Sequence, residues 1–163
     1  MRIVVADTGP VHYLVLIDAV ALLPRLFGQV VIPTVVHAEL LHLEAPRLVR
    51  AWAEAPPQWL TILPAPMDDD TDSRSLDDGE RAAIALSGTL RADLILMDDR
   101  AGVAAARGRG FAVTGTLGLL VIAARKSLID LGVAFTALRS TNFHVRSRLL
   151  DELLARHQSE NGQ

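Results

Sequence analysis

Five short apolar runs punctuate the chain: RIVVA (2–6), QVVIP (29–33), LTILP (60–64), DLILM (93–97) and FAVTG (111–115). Each is continuous rather than alternating, which suits strands buried on both faces, and the stretches between them are long enough for helical crossovers. The pattern predicts an α/β fold: a five-stranded parallel sheet sandwiched between helices. After residue 116 it turns wholly helical, with TLGLLVIAARK, a segment near 131–140 and another near 145–157. In the last, Leu149, Leu150, Leu153 and Leu154 recur at helical spacing. This helical C-terminus is expected to cover one edge or face of the sheet. Half of the 163 residues are apolar, enough for one sizeable core. A single domain over 1–157 with a disordered tail at 158–163 is therefore expected.

Several classes are excluded at once. The chain has no cysteine, so disulfide frameworks and thiolate metal sites are ruled out, and a cytoplasmic, reducing environment is expected. No stretch reaches the roughly 18 uninterrupted apolar residues of a membrane helix, so no membrane association is expected. The net charge of −3 hides an asymmetry: residues 1–99 carry 15 acids and 7 bases, whereas residues 100–150 carry 1 acid and 8 bases. An acidic part beside a basic one suits a metal site next to a polyanion-binding surface, although scattered charge also describes an ordinary wet surface. PAPMDDDTDSRS (64–75) has prolines, many acids and no periodicity, and reads as an exposed, solvated loop.

Four acids stand apart from that loop. Asp7 opens DTGP at the end of the first run. An aspartic protease carries the same Asp-Thr-Gly, but in a β-rich lobe; here the triplet joins a strand to a helix, and the protease reading fails. A haloacid-dehalogenase-type phosphatase fails too, since it needs a second acid where Gly9 stands. Asp7 is left as a helix cap or a site ligand. In PTVVHAELLHL the expected apolar stripe is Val35, Val36, Leu40 and Leu43, and Glu39 falls on it, costly for a carboxylate unless something positive compensates. His37 and His42 lack metal-type spacing and read as structural. In LDDGERAAIAL, Asp77 three residues before Glu80 looks like a capping arrangement, yet Glu80 shares a face with the inward Ala83 and Ile84. Asp98 and Asp99 follow the fourth run directly; one is expected to face the cleft and the other, Asp99, to cap the next helix.

Ligands of open parallel sheets bind beyond the carboxyl ends of the strands, where strand order reverses. In the order 3-2-1-4-5, Asp7 and Asp98 become neighbours, with Glu39 and Glu80 entering from adjacent helices. Four converging carboxylates in a chain whose only lysine is Lys126 need a cation. Mg²⁺ or Mn²⁺, which take oxygen ligands, would relieve the repulsion and activate water against a phosphodiester.

With these residues the sequence resembles the PIN-domain family, the nuclease fold of VapC-type toxins of toxin–antitoxin pairs. The likeness rests on Asp7-Thr8, on Pro33 followed by Val-x-x-Glu39-Leu, on Glu80 opening a helix, and on Asp98 eighteen residues further on. LDDGERAAIAL, LILMDDRAG and VTGTLGLLVIAARKSLI resemble more closely a PIN-like branch of bacteria and archaea. The resemblance implies a three-layer fold with sheet order 3-2-1-4-5 and Mg²⁺- or Mn²⁺-dependent endonucleolytic cleavage of RNA. It also implies a homodimer and, if the protein is a toxin, a cognate antitoxin. Carried over, the metal-binding and catalytic acids are Asp7, Glu39, Glu80 and Asp98, with Thr8 as a polar helper and Asp99 and Thr116 beside them. The third acid is usually aspartate in the toxins and is Glu80 here. Gly115-Thr116 reads either as a phosphate contact at a helix start or as a plain turn. With only seven aromatic residues, RNA contact would be electrostatic, through Arg100, Arg107, Arg109, Arg125 or Lys126. The alternative is a PIN-like module that binds RNA or a protein without cutting.

Overall fold

The computed structural model describes residues 2–67 and 75–162. Among these, the first four strands alternate with helices in order: β1 (Val4–Ala6), α1 (Thr8–Leu16), α2 (Leu22–Phe27), β2 (Val30–Pro33), α3 (Thr34–Leu40), α4 (Arg47–Glu54), β3 (Leu60–Leu63), α5 (Asp78–Leu90) and β4 (Leu94–Leu96). Then come α6 (Arg100–Gly108), β5 (Val113–Thr114), α7 (Thr116–Arg125), α8 (Leu131–Arg139) and α9 (Ser147–Asn161). All five apolar runs are strands. They form one parallel sheet in the order β3-β2-β1-β4-β5.

The chain divides into two compact units, Met1–Thr116 and Leu117–Gln163. In the first, β1 to β3 step one way across the sheet and β4 and β5 lie on the other side of β1. Right-handed crossovers then place α1 to α4 on one face and α5 and α6 on the other. Among the helices, α1, α3 and α4 pack on one another and α5 packs on α6, while α3 and α5 also meet, where Gly79 lies against Glu39. The central strands are buried throughout, Val5, Ile95 and Leu96 completely, as continuous apolar runs require. In the second unit, Arg125 pairs with Glu160 and Arg139 with Asp151, tying α7 and α8 to α9. Asp130 caps α8 by accepting the Val133 amide at 2.9 Å.

Three expectations need correction. The helix after Pro33 stops at Leu40 rather than Leu43, because His42 Nδ1 accepts the Glu44 amide and turns the chain toward Pro46, the cap of α4. Val36 and Leu40 are therefore buried, while Leu43 is 83% exposed and Val35 stays on the surface. Leu149 is likewise exposed, and Leu150 alone of its helix is fully buried. The tail expected beyond residue 157 is helical through Asn161. Residues 68–74 of the acidic segment lie outside the described residues.

Candidate active site

Asp7 leaves β1 with its backbone still in the ladder, its amide donating to the Leu96 carbonyl at 2.8 Å. It occupies the N-cap position of α1, yet its side chain caps nothing. Only 7% of the residue is exposed, and Oδ1 has no hydrogen-bond partner. Burial above all, with the charges of Asp77, Glu39 and Asp98 adding to it and the Thr8 backbone opposing, pushes its carboxyl up to about 7.

Around this orphaned oxygen the other acids are held by neutral donors. The Thr8 hydroxyl donates to Glu39 Oε2. Asp98 is gripped at both oxygens, the Thr116 amide donating to Oδ1 and the Thr116 hydroxyl to Oδ2, each at 2.6 Å. Thr116 is fully buried and both its donors are thus committed to Asp98 rather than offered to a phosphate. Asp99 faces outward and caps α6 through the Gly102 amide. Burial raises both Glu39 and Asp98 above the usual carboxylate range, against the opposing pull of their threonine partners.

Glu80 is 4% exposed and sits in the first turn of α5. Its backbone amide donates to Asp77 Oδ1 at 2.7 Å, which realises the capping arrangement. Its carboxyl is hydrogen-bonded to the Asp77 side chain, and burial together with Asp77, Asp99 and Asp7 pushes it up to about 8.

Close approach of backbone makes the cluster possible. A Cβ on Gly79 would stand 2.8 and 2.9 Å from the two Glu39 oxygens and 3.1 Å from Asp7 Oδ1. One on Gly115 would stand 2.7 Å from Asp98 Oδ1. Any side chain at these positions displaces a carboxylate.

The structure thus brings Asp7, Glu39, Glu80 and Asp98 to one end of the sheet, with Thr8 and Thr116 as their supports. Among the described residues, no three His, Asp or Glu side chains are yet drawn together tightly enough to hold an ion. The donors present are all oxygens, one of them buried and unpartnered, which is the set a hard divalent cation uses. The basic residues are dispersed. Arg100 opens α6 beside Asp99, whereas Arg107 and Arg109 lie about 10 Å or more along that helix, toward its other end. Arg125 is paired with Glu160, and Lys126 is exposed just past α7. His37 Nε2 lies 2.9 Å from the Ala53 carbonyl, a structural role.

Sequence reasoning passed over Asp77 as more than a cap, and over Tyr13. Burial and the Asp98 charge raise the Tyr13 hydroxyl, so it lies in that acid's field. The signal was available: Gly9, against Asp98, and Tyr13 share a face of α1 at i and i+4.

A parallel sheet of this order with acids gathered at the carboxyl ends of β1 and β4 is the architecture of the PIN domain, a nuclease fold. Residues 3–159 match the family described as DUF3368: PIN domain, and the chain belongs to it. No curated protein and no solved structure matches it.

The raised carboxyls carry a pH signature. Asp7 and Glu80 hold protons up to about 7 and 8 in the folded chain but release them near their ordinary values of 3.8 and 4.5 once unfolded. Folding takes up protons across that window, so the stability they contribute is complete below it and lost as pH rises through it. The metal-free protein is expected to melt several degrees lower at pH 8.5 than at pH 5. Asp7→Asn should flatten part of that decline; a melting curve equally steep in the variant would refute it.

Proposed function

We propose that the protein is a metal-dependent endoribonuclease that hydrolyses phosphodiester bonds with Mg²⁺ or Mn²⁺ held by Asp7, Glu39, Glu80 and Asp98. The observation that carries this reading is the buried, unpartnered Asp7 Oδ1, with the Gly79 backbone and the Glu39 carboxylate close beside it. A buried acceptor without a donor is costly, and one surrounded by like charges more so. When bound, a divalent ion supplies the missing positive charge and a water acidic enough to attack phosphate.

The chain's own groups provide the frame. Thr8 and Thr116 orient Glu39 and Asp98 without neutralising them, so the site keeps its negative charge for a cation. Arg100, at the head of α6, is the basic residue best placed to meet a phosphate there. The preference for RNA, the homodimer and a toxin role with a cognate antitoxin rest on the family resemblance. An adjacent reading frame encoding a small DNA-binding protein would support the last.

Wild-type protein is expected to cleave a mixed RNA pool when Mn²⁺ is added, and Asp98→Asn to lose at least about 100-fold of that rate. RNA retained without being cut by the wild type would favour the binding module instead. Gly79→Ala separates fold from site, because a Cβ there meets the carboxylate ends of Glu39 and Asp7 rather than backbone. It should melt at or above the wild-type temperature, since alanine favours a helix over glycine, while losing Mn²⁺-dependent cleavage. Full activity in Gly79→Ala would show that Glu39 need not stand where it does.

A further inference from the structure

Asp77 has one firm structural duty, to cap α5 through the Glu80 amide. Its surroundings give it a second. Two residues on, Gly79 lies so close to Glu39 and Asp7 that the first turn of α5 is pressed against both carboxylates. Asp77 is the cap of that turn and stands exposed at its open end. Burial aside, its charge is the strongest of the like charges acting on Asp7, on Glu39 and on Glu80. Its neighbour Asp78 is drawn away by Arg81 on the same helix. The oxygen that points at this turn, Asp7 Oδ1, belongs to a side chain more than nine-tenths buried and has no partner.

We infer that Asp77 is a fifth carboxylate of the proposed cation site, on its exposed rim, so that one side chain both starts α5 and contributes to holding the ion. The inference rests on the cation reading above. It gives a physical reason for glutamate at position 80. Helix geometry leaves the cap and the third residue of the turn on adjacent positions, and the longer arm of Glu80 lets its carboxyl turn back to Asp77. Asp77 then supplies an acceptor on the solvent side while Glu80 fills the buried side.

Asp77→Asn tests this cleanly, because asparagine caps a helix as well as aspartate does but carries no charge. With the full chain and Mn²⁺ alone as probe, binding is read by calorimetry and by the rise in melting temperature. Metal-free Asp77→Asn should melt no lower than wild type, and its Mn²⁺ affinity should fall about 10-fold or more. Asp78→Asn removes the same charge one residue along and should bind as wild type does. If Asp77→Asn proves unstable, Asp77→Ser, which also caps, gives the same reading. Wild-type Mn²⁺ affinity in Asp77→Asn overturns the inference and leaves the cation site standing, as do equal losses in the Asp77 and Asp78 variants. Absence of Mn²⁺ binding by the wild type removes the cation reading itself, and this inference with it.

Discussion

The carboxyl edge of the sheet is organised by one electrostatic cost, that of keeping the Asp7 carboxyl out of water among like charges. A charged group taken from water needs a counter-charge or a full set of hydrogen bonds, and Asp7 Oδ1 has neither. Left alone, the group answers by keeping its proton, which is why it rises to about 7. Glu39 and Asp98 face the same cost and are helped by threonines, whereas Glu80, with Asp77 as its side-chain partner, is pushed up to about 8. No such donor is assigned to the central oxygen.

How the acids are held matters as much as where. An arginine or lysine among them would have cancelled their charge. Arg81 is paired with the exposed Asp78 at the start of α5, and three further ion pairs lie on exposed positions away from the acids: Arg125 with Glu160, Arg139 with Asp151 and Arg148 with Glu152. Hydroxyls and amides orient carboxylates and leave the charge intact. Folding stability is surrendered at the site to gather these acids, a distribution expected where a ligand completes the charge balance.

The sheet was legible because burial on both faces leaves an unmistakable mark, five unbroken apolar runs, while the strand order came with the family resemblance and made neighbours of Asp7 and Asp98. Legibility failed where a local hydrogen bond outweighed periodicity. Nothing in the spacing of PTVVHAELLHL announces that His42 will take the Glu44 amide and end α3 early, turning Leu43 outward. The part proposed for Asp77 was hidden for another reason. Capping fully accounts for an acid three residues before a glutamate, and only the close approach of Gly79 shows that the capped turn lies against two other carboxylates.

The backbone ladder runs on past the strands into the site. The Asp7 amide is bonded to Leu96 and the Met97 amide to Thr114, so Asp7 and Asp98 stand on main chain that cannot shift without unzipping the sheet. Glu39 and Glu80 project from helices on longer side chains, each with one more rotatable bond than an aspartate. The constellation therefore has two stiff corners and two compliant ones. In the proposed cation site, differences in ionic radius would be absorbed by the glutamates, while the aspartates would set where the centre of charge lies.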